Sequence, residues 1–446
     1  MRRPDQRPEV GAPARWRFGE PDHAWLDNGL QVLVCHRRGQ HVASLCLSLD
    51  LPLGGEPDGL EGVATITQRC LDEGTVQHPG ASFAEALEDI GAVLNGSVGY
   101  SASQLYADVP VAKLPHALAL LAEVIRTPQF LATEIERHCE LRLAEIDQLM
   151  ASSASTAQLA FRRACIPGRF RASRMTGGAA DSVSAITSAA VRTFHEHHYR
   201  PESATLIITG DLDHGVYEAV EAAFGDWVVP SVGTPVHQRP TRRLPHRWLI
   251  DRPGAVQADV RLGAFGIDRT DPRWADIQVA THVVGGAFLS RLNRVLREER
   301  GFTYGVHLVN QPMRDGGLLA VQGSFRTEVV AEAIRVAANL INLTEAPITD
   351  AEVVEAVSYH SGSAPLRYST AQGVTQHLAA LKAAGLTAEF IDANALALTQ
   401  VTPTSATDAL VELLPSKRLS LVVVGAATAL RGPLADAGWP ATEHRF

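Results

Sequence analysis

The chain lacks any uninterrupted apolar run of the roughly 18 residues that a membrane-spanning helix requires. Its most apolar segments, TLIITG at Thr205–Gly210 and SLVVVG at Ser420–Gly425, have the length of strands. No membrane partner is expected. The opening MRRPDQRPEVGAPARWRFGE places Pro, Asp and Glu where a signal peptide needs a continuous apolar core, so the expected compartment is the cytoplasm. Cysteine is scarce: Cys35, Cys46, Cys70, Cys139 and Cys165 are odd in number and form no C-x-x-C. That excludes a disulfide framework and a thiolate zinc site, and the five read as small buried side chains. Positive charge is also short. With 40 Lys+Arg against 49 Asp+Glu, a net charge of −9, the chain has no general basic field to hold DNA or RNA.

What the chain does have is a core. Hydrophobic residues make up 46% and charged residues 20% of 446 positions, a globular composition with about three domain-lengths of chain by the rough prior of 150 residues each. Val229 to Pro245 concentrates Pro, Gly and Arg without apolar periodicity, as an exposed connection does. The expected division is a tail over 1–20, a domain over 21–230, a linker over 231–245 and a second domain over 246–446. Similar words recur on either side: HAWL at His23–Leu26 answers HRWL at His246–Leu249, and TLIITG answers SLVVVG. Between them each half runs through a long amphipathic helix, strands, and a helical pair broken at proline, at Thr127-Pro128 and before Pro347. This predicts two duplicated α+β units.

Two stretches carry chemistry. The first half holds EPDGLEGVATITQRCLDEGT (Glu56–Thr75), followed by FAEALEDIGAVLNGSVGYSASQLY and RTPQFLATEIERHCELRLAEI. The second holds VVGGAFLSRLNRVLREERGFTYGV (Val283–Val306). Together they resemble the two halves of an inverted-zincin peptidase of the insulinase, pitrilysin and mitochondrial processing peptidase family, over roughly Leu26 to Gly425. The resemblance implies two homologous domains, each a mostly antiparallel sheet packed by helices on one face. Its two-domain length is similar to that of members that work as pairs of subunits. An inverted zincin places H-x-x-E-H on a helix, two His holding zinc and the Glu acting as general base. Aligned on Gly74-Thr75, those positions here are Thr65, Gln68 and Arg69. Thr65 has no imidazole, Gln68 takes no proton from water near neutral pH, and Arg69 is a cation that repels a divalent metal. The family's third ligand matches Glu145, expected to pair with Arg69 where metal would sit.

The family's substrate grip is intact as R-E-x-x-G-x-x-Y: Arg297, Glu298, Gly301 and Tyr304. The planar fork of Arg297 suits a peptide carbonyl or carboxylate, and the Tyr304 hydroxyl suits a developing oxyanion; the plainer alternative is a surface Arg and a core Tyr. Gly285-Gly286 reads as a tight turn into the helix carrying Arg297. The resemblance implies a zinc-free subunit of a heterodimeric zinc peptidase, with the metal on a homologous partner carrying H-x-x-E-H and a peptide between them. Two rivals stand beside it. One is a peptide-binding or scaffold protein without a catalytic partner. The other is a hydrolase with a metal site relocated to His195, Glu196, His197 and His198 in TFHEHHYRPE, residues that otherwise read as the dipole-favoured end of a helix.

Overall fold

A computed structural model describes residues 16–230 and 236–446 of the protein. Among the described residues twelve strands form two six-stranded mixed sheets. The first contains β1 (Asp22–Trp25), β2 (Gln31–His36), β3 (Val42–Asp50), β4 (Val93–Val98), β5 (Ala102–Pro110) and β6 (Ala204–Gly210), in the order β1-β2-β6-β3-β5-β4. The second contains β7 (Arg247–Asp251), β8 (Gln257–Gly266), β9 (Val306–Pro312), β10 (Gly317–Arg326), β11 (Ser420–Gly425) and β12 (Thr442–Glu443), in the order β12-β7-β11-β8-β10-β9. In each sheet the order from the third-last to the last strand is the same, a long strand followed by a hairpin whose outer strand is the edge. Most pairings are antiparallel; β2 with β6, β7 with β11 and β7 with β12 are parallel. The two units therefore share one α+β plan.

TLIITG and SLVVVG are the equivalent inner strands β6 and β11, and every residue of both is buried. HAWL and HRWL are not equivalent. His23–Trp25 lies in the outermost strand β1, whereas Arg247–Leu249 lies in β7, the place held in the first sheet by QVLVCH of β2. A four-residue word is too short to fix a register, and the position is set by which strand pairs with the buried inner one.

One face of each sheet carries its own unit's helices and main core. The helical pairs fall where the prolines place them: Leu114–Arg126 and Ala132–Ala151 in the first half, Val330–Ile341 and Asp350–Arg367 in the second. The helix after the third strand is short, seven residues from Val63 to Arg69. The other face of each sheet is covered from the opposite half. Helix Ser153–Cys165 lies on β8, β10 and β11, and helix Ala371–Ala383 lies on β3, β5 and β6.

Residues 1–15 of the expected tail and 231–235 of the expected linker lie outside the described residues. Residues 16–20 do not hang free: Trp16 stacks on Tyr368 at 4.9 Å, and the Phe18 amide donates to Asp392 at 3.0 Å. In the later part of the linker, His237 bonds Asp50 at 2.7 Å and Gln238 accepts from the Arg171 amide at 2.9 Å. Cys35, Cys46, Cys70 and Cys165 are buried thiols, while Cys139 is half-buried because its helix face meets solvent. Among the described residues no helix is long and apolar enough to cross a membrane.

Candidate functional site

The site begins with the placement of helix Val63–Arg69. Gly62 ahead of it has φ +105°, and a Cβ there would stand 2.7 Å from the Gly177 carbonyl oxygen, so only glycine fits. The first amides of the helix find a partner in a distant carboxylate: Glu56 Oε1 accepts from the backbone of Gly62 and Ala64 at 2.9 and 3.2 Å. Helix Ala132–Ala151 and edge strand β4 pack against this short helix.

Thr65, Gln68, Arg69 and Glu145 are brought to these surfaces. The Arg69 guanidinium meets the Glu145 carboxylate fork to fork, Nη1 to Oε1 and Nη2 to Oε2, both 2.9 Å. Arg142, one helical turn before Glu145, donates to Oε2 at 3.1 Å and to the Gly177 carbonyl at 2.9 Å. Gln68 is buried with its amide over Gly96 of β4, filling the space a Cβ would need there. The carboxylate is not enclosed, since its side chain is 41% exposed. Hydrogen bonds from Arg69, then from Arg142, hold its pKa below the usual carboxylate range against the effect of burial.

One acid with two cations gives a net positive centre, and both oxygens of that acid are engaged. Thr65 and Gln68 supply neither an imidazole nor a base. This donor set does not fit a zinc ion. Arg142 was absent from the sequence reading, although its spacing of three from Glu145 on a helix carried the signal.

The second motif is arranged differently. Gly285 and Gly286 end a wide helical turn, His282–Gly286, instead of forming a tight turn, and Gly285 is required because β9 passes directly against it at Leu308. Arg297 lies on a second wide turn, Arg294–Glu299. Its Nε donates to Glu298 at 2.7 Å, its Nη2 to the Phe288 carbonyl at 3.1 Å, and its guanidinium covers the Phe288 ring at 4.0 Å. The Arg297 side chain is 17% exposed. Tyr304 is 96% exposed, in a loop pinned by Thr303, whose hydroxyl reaches the Gly305 and Ser324 carbonyls at 2.9 and 2.7 Å. The plainer expectation is thus inverted, with the Arg covered and the Tyr in solvent. Phe288, which Arg297 covers on one side, is 74% exposed, and Leu289 after it is exposed too; no periodicity in the sequence pointed to Phe288. A tyrosine so exposed touches almost nothing of its own chain.

Of the four residues His195–His198, the first three border one open pocket, yet among the described residues no three metal-ligating side chains come together. His195 Nε2 donates to the Ile125 carbonyl at 2.8 Å and its ring stacks on Tyr199 at 4.7 Å, while His198 lies on Phe194 at 4.3 Å. Glu196 and His197 face solvent. Burial lowers the pKa of His195 and of His198 to about 4. Neighbours in sequence on a helix point in divergent directions, so this run ends helix Ser188–His198 and builds no common centre.

Comparison with known proteins decides the family. Residues 32–164 match the family described as Insulinase (Peptidase family M16), and residues 185–359 match the one described as Peptidase M16 inactive domain. The chain belongs to the insulinase family, peptidase family M16. A relative named an uncharacterized zinc protease of Mycobacterium tuberculosis is 28% identical over 338 residues, covering 74% of this chain and 76% of its own. The crystal structure of a peptidase M16 inactive domain from Pseudomonas fluorescens has a TM-score of 0.84 at 22% identity, covering 91% of this chain and 98% of that one. A protease from Helicobacter pylori has a TM-score of 0.81 at 15% identity, covering 91% of this chain and 100% of that one. At those identities the two structures show the fold. Within the family this chain resembles a non-catalytic subunit.

Proposed function

We propose that this protein is the zinc-free, proteolytically inactive subunit of a heterodimeric zinc peptidase, and that it binds peptide and lends Arg297 and Tyr304 to a partner's active site. The observation that carries this reading is that Tyr304, at 96%, and the apolar Phe288, against which Arg297 lies, are both exposed. Large exposed side chains of this kind, one of them against a bonded arginine, suit contact with another molecule, and the Arg69–Glu145–Arg142 centre is unsuited to a metal. The homologous partner supplies H-x-x-E-H, its zinc and its base. This chain supplies donors held rigidly beside the peptide, which need not share a chain with the metal.

The test is co-expression with an H-x-x-E-H homologue, followed by peptide cleavage by the purified complex. Tyr304→Phe removes one donor and should lower kcat by roughly 10²-fold with the complex still formed; Arg297→Ala should do the same or raise KM. Full activity in both variant complexes would overturn the reading. A stable complex that never cleaves peptide would favour the scaffold alternative instead.

A further inference from the structure

Buried polar atoms in folded proteins nearly always have hydrogen-bond partners, and those that do not require an explanation. Among the described residues thirteen buried side-chain atoms have none, and five of them belong to four residues lining one cavity: Trp274 Nε1, Gln278 Oε1, Asn310 Nδ2 and Oδ1, and His360 Nε2. The cavity, about 280 Å³, lies in the second unit, between helix Trp274–Thr281, its wide continuation His282–Gly286, edge strand β9 and helix Asp350–Arg367. Wide turns of this kind are concentrated at functional sites. The place has a counterpart. In the first unit the helix after the long third strand packs on edge strand β4 and on the second helix of the proline-broken pair, and there it holds the Arg69–Glu145 centre. The cavity occupies the same position in the duplicated plan.

Its chemistry differs from that of a metal site, and the bare Gln278 and Asn310 carbonyl oxygens oppose a phosphate. No carboxylate lines it. His282 and His360 stand 5.2 Å apart, ring centre to ring centre, and burial lowers both, His360 to about 4, so the imidazoles are neutral at physiological pH. Arg269, 5.6 Å from the Trp274 ring centre, supplies the lining's one fixed charge and opposes a cation. What remains is an interleaved set of donors (the indole N–H and the Asn310 amide) and acceptors (the Gln278 and Asn310 carbonyl oxygens). A group that satisfies both at once carries a carbonyl and an N–H side by side. It does so with the Asn310 amide turned either way, because each orientation meets its complement.

We propose that this cavity is a binding site for an uncharged amide, either the carboxamide of an Asn or Gln side chain or a peptide-bond unit. This site stands apart from the partner-dependent function proposed above, and its test needs no partner.

The probes are N-acetylglutamine N′-methylamide and N-acetylnorleucine N′-methylamide, titrated calorimetrically into the full chain and into its Asn310→Leu and Trp274→Phe variants. Binding of the glutamine compound alone identifies a side-chain carboxamide, and equal binding of both identifies the peptide unit; either supports the proposal. Asn310→Leu, which loses a donor and an acceptor, should weaken binding about tenfold or more, and Trp274→Phe less. Thermal unfolding supplies an independent readout. A saturating probe should raise the Tm of the wild type and leave that of Asn310→Leu unmoved. Absence of binding by both probes at millimolar concentration, or equal binding by wild type and Asn310→Leu, would overturn the assignment.

Discussion

Glu56 shows how much one residue can organise. Its Oε1 caps the short helix that carries the degenerate motif, and its Oε2 takes the Arg171 Nε at 2.7 Å, with the two side chains 0% and 4% exposed. Arg171 in turn donates to the Met175 and Thr176 carbonyls at 2.7 and 2.8 Å, tying down the loop that closes over Gly62. Burial pushes the Glu56 carboxyl up, while Arg171 and the two amides pull it back. A pair this dry adds little over apolar replacements, but removing one member strands the other without water. Arg171→Met should therefore lower stability by about 3–5 kcal/mol in urea unfolding, and adding Glu56→Gln should recover part of the loss. A single-variant cost below about 1 kcal/mol would show that the pair does not hold the helix. None of this was legible in the EPDGLEG stretch, because the partner stands 115 residues away. The Arg69–Glu145 contact was legible only through the family pattern, which aligned both residues with ligand positions.

Helix Asp350–Arg367 shows an element whose start the sequence announces. Thr349 and Glu352 form a capping box, each side chain bonding the other's backbone amide, at 2.9 and 3.4 Å. Arg291 then grips Glu352 with Nε and Nη2 at 2.8 and 2.6 Å and reaches the Ala346 and Pro347 carbonyls. Burial raises the Glu352 carboxyl, yet the bonds from Arg291 and Thr349 outweigh it and hold it at about 2, below the ordinary 4.5. An acid depressed by folding stabilises the protein above its unfolded pKa and loses that contribution as pH falls through the folded one. Wild-type stability should thus decline between about pH 4.5 and 2 partly through this residue. Glu352→Gln should be less stable at neutral pH by about 1 kcal/mol and decline less over that window; equal slopes in chemical unfolding across the two proteins would remove Glu352 from the acid response. Proline breaks and the all-apolar runs of β6 and β11 were readable because each rests on local chemistry. The wide turns at His282–Gly286 and Arg294–Glu299 were not, since an inserted helical residue leaves no periodic mark. The HAWL and HRWL words misled because strand position is decided by pairing across the sheet.

At the scale of the molecule, the all-buried strands carry a further meaning. A strand with one wet face alternates, whereas TLIITG and SLVVVG do not, which is the pattern of a strand covered on both sides. The covers are exchanged between the halves. Val374, Leu378 and Ala379 of helix Ala371–Ala383 seal Leu33, Cys46 and Ile207, with Thr375 bonded to Thr209 at 2.8 Å and the Ala379 carbonyl accepting from Gln104 at 2.9 Å. Ala157, Ala160, Phe161 and Ala164 of helix Ser153–Cys165 seal Leu318, Ala320, Val422 and Val424, the alanines letting the helix settle close to the strands. Arg252 reaches the Met150 carbonyl, and Arg261 bonds Gln158 at 3.2 Å. Each half thus lacks one layer of its own core, and separating them would expose both sheets to water. A protease site introduced within residues 236–245 and cut after folding should leave two fragments that co-elute in gel filtration and unfold in one thermal transition. Fragments that part without denaturant, or that melt in two steps, would mean that the exchanged helices contribute little.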